Sequence, residues 1–302
     1  MSETFPLRFD GRVAIVTGSG RGLGREYALY LAGLGAALIV NSTTASTANS
    51  TTKEITDTGG RAVAHVGNVA GRDVANSIVK AAIDNFGRVD IIINNAGGAN
   101  GGEFEQSPDS NLWDMLNVHV GGSWNVTQAA WPYMKKQNFG RIIMTASPMV
   151  FGGAQQSTYG AAKTAVMGLA KSIAIEGKQH NIFVNTVAPM AYTPGSAAYI
   201  SDEQTRTLME ANMPAHDVAP TVAWLAHESC QVNGETLVAV GKLVKRIFLA
   251  ETKGYFGPQE GVWTMESVRD NWDMIVDESD YDVPVDMAEY GPKTFKRIIQ
   301  RQ

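Results

Sequence analysis

From residue 12 to residue 187, short apolar runs bounded by glycine or polar clusters alternate with longer stretches whose apolar positions recur at helical spacing. The runs at 12–17, 37–40, 61–66, 89–93, 141–146 and 183–187 read as strands. The stretches ending at Leu34 and covering 71–86, 110–137 and 159–176 read as helices. A polar Ser/Thr-rich segment, 42–52, reads as a surface loop before a helix that starts near Thr51. Runs such as Val-Asp-Ile-Ile-Ile at 89–93 are too uniformly apolar for a sheet with one wet face, and suit a parallel sheet covered by helices on both sides. About six strands in this alternation predict an α/β fold, a doubly wound parallel sheet of Rossmann-type three-layer form. Right-handed crossovers then place the chemistry at the C-terminal ends of the strands.

Composition narrows the class of function. The 302 residues carry a formal net charge of −5, with scattered basic residues, so no basic field invites nucleic acid. No apolar run approaches the ~20 residues of a membrane span, and the first residues do not read as a signal peptide. Cys230 is the single cysteine, which excludes an internal disulfide and suits a reducing cytoplasm. The C-terminal Ile-Gln-Arg-Gln is not a Ser-Lys-Leu type peroxisomal address. His180, His216 and His227 lack metal-ligand spacing, so no catalytic metal is expected. Length suits one catalytic domain, 8–240, with a C-terminal extension, 241–302, packing on that domain or on a partner subunit. In the extension, Trp263, Met265, Trp272 and Met274 are the residues expected to dock, and the acidic run from Asp277 to Asp286 reads as a solvated face. The segment 199–213, with Leu208, Met209 and Met213, reads either as core or as a helical lid over an acyl chain.

Between the first strand and the first helix stand Gly18, Ser19, Gly20, Arg21, Gly22, Leu23 and Gly24. Glycines let backbone approach a diphosphate, and the free N–H groups at the start of the next helix attract it. Strand, glycine loop and helix in that order therefore predict dinucleotide binding; a bare connecting turn is the alternative. The second strand runs into Asn41 and Ser42, where an NAD-selecting fold carries a carboxylate for the ribose diol. Here there is none. Ser42, Thr43 and Thr44, with Arg21, suit a 2′-phosphate, so the expected cofactor leans to NADP, with NAD as the alternative. Asn68 and Val69 follow the third strand, where an amide meets the adenine edge, and the small residues after the fourth, Asn95, Ala96 and Gly97, leave room for a ribose.

Tyr159 and Lys163 are four apart, which on a helix stacks them on one face. A free phenol titrates near ~10, too high for ready proton transfer near neutrality, and an adjacent ammonium favours the phenolate. Ser147, after the strand at 141–146, is placed to hold a substrate oxygen against that phenol. As an isolated match, Tyr-x-x-x-Lys also arises by chance on amphipathic helices.

Together, Thr17 to Gly24, Asn94-Asn-Ala-Gly97, Ser147 and Tyr159-x-x-x-Lys163 resemble the short-chain dehydrogenase/reductase family over roughly residues 8–240. The resemblance implies hydride transfer between NAD(P) and a carbonyl or alcohol. Tyr159 would be the general acid/base, Lys163 would lower its pKa and bind the nicotinamide ribose, and Ser147 would polarise the carbonyl. Segments such as 140–147 and 224–230 resemble more closely the (3R)-hydroxyacyl-CoA dehydrogenases of multifunctional enzymes, which implies a 3-hydroxyacyl-CoA and its 3-ketoacyl-CoA partner. Rival readings are a hydroxysteroid, secondary-alcohol or acyl-carrier-protein substrate, and a non-catalytic dinucleotide sensor. Family members commonly form homodimers or homotetramers through their long helices, here 110–137 and 157–176.

Three departures qualify the likeness. The family's fourth catalytic residue, an asparagine, falls at His119, read either as part of the proton relay or as a packed core histidine. The interval from Ser147 to Tyr159 is one residue short of the usual, and Pro148 stiffens it, so the substrate loop is expected to be remodelled. Pro189-Met190 replaces the family's Pro-Gly, with Thr193 expected at the nicotinamide amide.

Overall fold

The computed structural model describes residues 7–197, 200 and 202–300. The chain runs β1 (Val13–Val16), α1 (Gly22–Gly33), β2 (Ala37–Ser42), α2 (Ala45–Asp57), β3 (Arg61–Val66), α3 (Arg72–Phe86), β4 (Ile91–Asn94) and α4 (Asp109–Leu116). A π-helical turn (Asn117–Gly121) joins α4 to α5 (Gly122–Gln137). Then follow β5 (Gly140–Thr145), α6 (Ser157–Gly177), β6 (Ile182–Met190), α7 (Pro194–Ala197), α8 (Glu203–Asn212), α9 (Ala219–Ala226), β7 (Thr236–Val240) and β8 (Leu243–Ile247).

The strands stand in the order β3-β2-β1-β4-β5-β6-β7-β8, and the first seven pair in parallel. β8 follows β7 through Gly241 and Lys242 alone, a link too short for anything but an antiparallel return. Period-two alternation divides the apolar residues between two cores. Ala14 and Val16 of β1 face one with Tyr27, Leu31 and Val222, while Val13 and Ile15 face the other with Ile78, Val126 and Val166. Strands buried on both faces explain why β1 and the three isoleucines of β4 read as apolar runs without polar alternation. The sheet grows in opposite directions on either side of β1, which opens a crevice beyond the carboxyl ends of β1 and β4.

Three expectations change. The sheet holds β7 and β8 beyond the six strands read from the pattern, because three short helices, α7 to α9, interrupt the alternation before β7. α2 starts at Ala45, not near Thr51. Its serines and threonines disfavour helix locally, but Ala48, Thr51 and Ile55 bury a face against the sheet and tertiary packing prevails. The long helix is one rod with a π-helical turn in its middle, where His119 sits.

At the opposite end of the sheet, charge is spent on structure. Asp90, fully buried, accepts from Arg88 at 2.7 Å and from the N–H of Val13 at 3.0 Å. Arg141 lies between the rings of Phe139 and Phe183 and donates to the carbonyls of Gly140, Asn181 and Glu228 at 2.9–3.2 Å.

The described chain forms two compact units, one ending at Arg246 and one beginning at Ile247. The second comprises β9 (Glu251–Thr252), α10 (Met265–Asp270), α11 (Trp272–Ile275), β10 (Tyr281–Asp282) and α12 (Met287–Gln300), with β9 and β10 antiparallel. No side chain between Ile247 and Gln300 is buried. The unit is tied instead by Asp282, which pairs with Lys253 at 2.9 Å and Lys293 at 2.6 Å, and by the stacking of Tyr255 on Trp263. Those two lysines hold the Asp282 carboxyl down at about 2.

Candidate active site

A cleft of about 1090 Å³ opens at the carboxyl ends of the central strands. One wall is the glycine loop. α1 starts with no side-chain cap, and Arg21 stands extended at its N-cap, so the first-turn N–H groups keep the free donors of a bare helix N-terminus. Gly18, at φ +63°, comes so near the next strand that a Cβ would lie 2.8 Å from Ala96 Cα. Thr17 Oγ1 accepts from the N–H groups of Asn95 (3.0 Å) and Ala96 (2.9 Å), and Asn95 Nδ2 donates to Thr17 O at 2.9 Å. These bonds lock the ends of β1 and β4 into one rim.

Beyond it, Asn41 is spent on backbone: Oδ1 accepts from Gly18 N at 3.3 Å and Nδ2 donates to Gly67 O at 3.1 Å. Ser42 Oγ lies 2.8 Å from Thr47 Oγ1, which lies 2.7 Å from Thr44 Oγ1. This chain of three hydroxyls stands over Gly20, where a Cβ would meet Thr47 Oγ1 at 2.6 Å. Arg21 lines the same wall and makes no ion pair among the described residues. Asn68 Oδ1 accepts from Ala70 N at 3.0 Å, which leaves its NH₂ group uncommitted. The bare helix start, the cradle a Cβ would fill and an unpaired guanidinium beside hydroxyls together fit a dinucleotide with a phosphorylated or free ribose.

Ser147, Tyr159, Lys163 and His119, side chains that can donate or accept a proton, line the cleft as well. Ser147 Oγ accepts from Met149 N–H at 3.2 Å, capping a short 3-10 turn (Pro148–Phe151), so its own hydrogen is free to donate outward. Tyr159 and Lys163 lie in the first two turns of α6. The Lys163 ammonium, 3% exposed, donates to Thr145 O at 2.6 Å and lies 5.5 Å from the centre of the Tyr159 ring. Burial pushes its pKa down from 10.5 to about 7.

His119 meets Tyr159 edge to face, ring centres 5.6 Å apart. Its Nε2 stands 2.8 Å from Gly98 O. A carbonyl only accepts, so Nε2 carries the hydrogen and Nδ1 the lone pair. Burial first, then the charge of Lys163, push the imidazole down to about 3, with the Gly98 bond opposing. Gly97 makes room for the ring, since a Cβ there would stand 2.0 Å from His119 Cε1. The His119 carbonyl accepts from Ser123 Oγ at 2.6 Å.

Of the residues singled out in sequence, Gly18, Arg21, Gly22, Leu23, Gly24, Asn41, Ser42, Asn68, Val69, Asn95, Ala96, Gly97, His119, Ser147, Tyr159, Lys163, Pro189 and Thr193 all line this cleft. Ser19 does not. It is fully buried, its hydroxyl donating to Val16 O at 2.7 Å and accepting from Asn41 N at 3.0 Å, and it fastens the loop to β2 rather than facing a ligand. Thr193 caps α7, its Oγ1 accepting from Ser196 N at 3.0 Å. Met209 of α8 lines the cleft while Leu208 beside it is half-exposed, so α8 turns one face to the site; of the expected lid, residues 199 and 201 lie outside the described residues. Thr47 and Thr145 carry no sequence signal for the site: the first lies in a Ser/Thr-rich stretch that reads as loop, and the second acts through a main-chain carbonyl, which any residue carries.

The short chain dehydrogenase family model matches residues 12–205. The chain is 40% identical over 296 residues to peroxisomal multifunctional enzyme type 2 of Mus musculus, covering 94% of this chain but 39% of that protein. It superposes with a TM-score of 0.81 on the full-length peroxisomal multifunctional enzyme type 2 of Drosophila melanogaster, at 32% identity, over 97% of this chain and 50% of the other. It thus spans half or less of these multifunctional relatives. A 7α-hydroxysteroid dehydrogenase complexed with NADH and 7-oxo glycochenodeoxycholic acid matches 79% of this chain and 97% of its own, with TM-score 0.74 and 28% identity. The chain belongs to the short-chain dehydrogenase/reductase family and is an NAD(P)-dependent oxidoreductase.

Proposed function

We propose that the protein transfers hydride between NADP(H) and C3 of a 3-hydroxyacyl-CoA/3-ketoacyl-CoA pair. The observation that carries the reading is that Ser147, Tyr159 and Lys163 line one cleft together with the bare start of α1. The bound dinucleotide supplies or takes up the hydride. Ser147 Oγ–H donates to the substrate's C3 oxygen, and the Tyr159 hydroxyl gives that oxygen its proton in reduction or removes it in oxidation. Lys163 sets a positive charge beside the phenol and would hold the nicotinamide ribose. The preference for NADP(H) rests on the hydroxyls of Ser42, Thr44 and Thr47 with Arg21, and on the lack of a carboxylate at the end of β2. Met149, Met190 and Met209 give the substrate side an apolar lining suited to an acyl chain.

Exposed Trp113, Trp124 and Ile175 on α4, α5 and α6 support a homodimer or homotetramer built on these helices. The single cysteine, Cys230, is free and buried, in keeping with a reducing cytoplasm.

Initial rates with NADPH and NADH on a short 3-ketoacyl-CoA and on free ketones test the reading. The thioester with NADPH should be fastest. Faster turnover of a free ketone would replace the substrate, and dinucleotide binding without turnover on any carbonyl would make the protein a sensor.

A further inference from the structure

We infer that Gln155 and Glu103 form a clasp between the loops after β4 and β5 that positions the amide of Gln156 to read a second oxygen on the substrate, beside the carbonyl that reacts. This rests on the substrate class proposed above. The first observation is a conformation. Among the described residues, three other than glycine hold a positive φ: Asn138 and Asn181, of a type that tolerates it, and Gln155 at +62°, of a type that does not. What holds Gln155 there is distant in sequence. Its carbonyl accepts from Gly102 N–H at 2.9 Å, and its Nε2 donates to Glu103 Oε1 at 2.5 Å. Three residues on, Thr158 Oγ1 donates to Asn100 O at 3.3 Å. These bonds join the loop after β4, of which Gly97, Gly98 and Ala99 line the cleft, to the end of the loop that Ser147 begins.

The second observation is the residue that follows. Gln156 lines the cleft one helical turn ahead of Tyr159, and its side chain makes no hydrogen bond among the described residues. Its amide lies against Gly101, where a Cβ would stand 2.5 Å from Nε2, so the clasped loop sets the place of that amide. A 3-ketoacyl thioester carries oxygens on C1 and C3. Ser147 and Tyr159 take the one on C3, and an uncommitted amide donor one turn away suits the one on C1, which a simple monoketone lacks. Gln155 and Glu103 are thus positioning residues that act through Gln156.

Both clasp side chains are exposed, so their variants should fold. In Gln155→Glu two carboxylates face each other and the clasp opens. The kcat/KM for a short 3-ketoacyl-CoA should fall about tenfold, chiefly through KM, with a change of about twofold or less for a monoketone. Adding Glu103→Gln sets one amide against one carboxylate again and should restore the thioester rate. An unchanged thioester-to-monoketone ratio in Gln155→Glu, an equal fall on both substrates, or a double variant without rescue overturns the inference. If instead the wild type prefers the monoketone or reduces no carbonyl, the proposed function falls, and the clasp is decided by its NMR signals. The side-chain ¹⁵N–¹H resonances of Gln155 and Gln156 should both shift in Glu103→Ala; unchanged Gln156 resonances overturn the positioning.

Discussion

A lysine that is charged in water and buried in the fold makes folding compete with proton binding. With its pKa pushed to about 7 from 10.5, Lys163 sheds its proton in the folded chain while the unfolded chain still holds one. Stability should therefore rise with pH across that window, by up to about 1.4 kcal/mol per pH unit, and the gain should be lost as pH falls to 7. Denaturant unfolding of wild type and Lys163→Met at pH 7, 8 and 9 checks this: the difference should grow in favour of the wild type, and parallel pH profiles would contradict it. Tyr159→Phe should cost ~10² to 10⁴-fold in turnover, roughly 3–5 kcal/mol of barrier, at unchanged dinucleotide affinity. Stopped-flow rates and fluorescence titration separate the two, and retained turnover would remove Tyr159 from its role. Gly97→Ala should drive the His119 ring off Gly98 O and destabilise by about 1–3 kcal/mol, seen as a lower Tm. These side chains were legible as a set, because Tyr-x-x-x-Lys needs only one helical turn. The tautomer of His119 was not, because it depends on a carbonyl 21 residues away in sequence.

Two elements do more than carry residues. The π-helical turn brings His119 inward at 4% exposure, and such a turn frees a carbonyl that Ser123 then satisfies. Apolar periodicity marked the rod but could not mark this turn, since a single extra residue hardly disturbs a helical pattern. α2 is the plainer case: a Ser/Thr-rich stretch reads as loop by propensity, yet its buried face makes it helix and brings Thr47 over the glycine loop. Because that hydroxyl cluster holds the place of the missing carboxylate, Ser42→Asp should cut the NADPH/NADH ratio of kcat/KM by roughly tenfold or more, about 1.4 kcal/mol. A ratio that stays put would mean selection lies elsewhere.

At the scale of the molecule, chemistry and stability occupy opposite ends of one sheet. The carboxyl ends of the strands gather Ser147, Tyr159 and Lys163, while the other end spends Asp90 and Arg141 on backbone and aromatic partners. Trp124, 43% exposed on α5, is an aromatic anchor of the kind interfaces bury. In sedimentation velocity Trp124→Glu should weaken self-association by about 30-fold or more, near 2 kcal/mol, whereas a wild type that sediments as a monomer at every concentration would refute the oligomer.

The linear chain determined whatever local periodicity and covalent spacing can encode: the parallel sheet from doubly buried runs, the glycine loop between strand and helix, and the tyrosine and lysine one turn apart. The folded molecule decided what depends on contacts between distant segments. It turned Ser19 into a fastener, drew Thr47 and Thr145 into the site's architecture, and set the protonation of Lys163 and His119 by burial. Those outcomes are properties of the neighbours and the dielectric that packing creates, and neither exists until the sheet has closed around them.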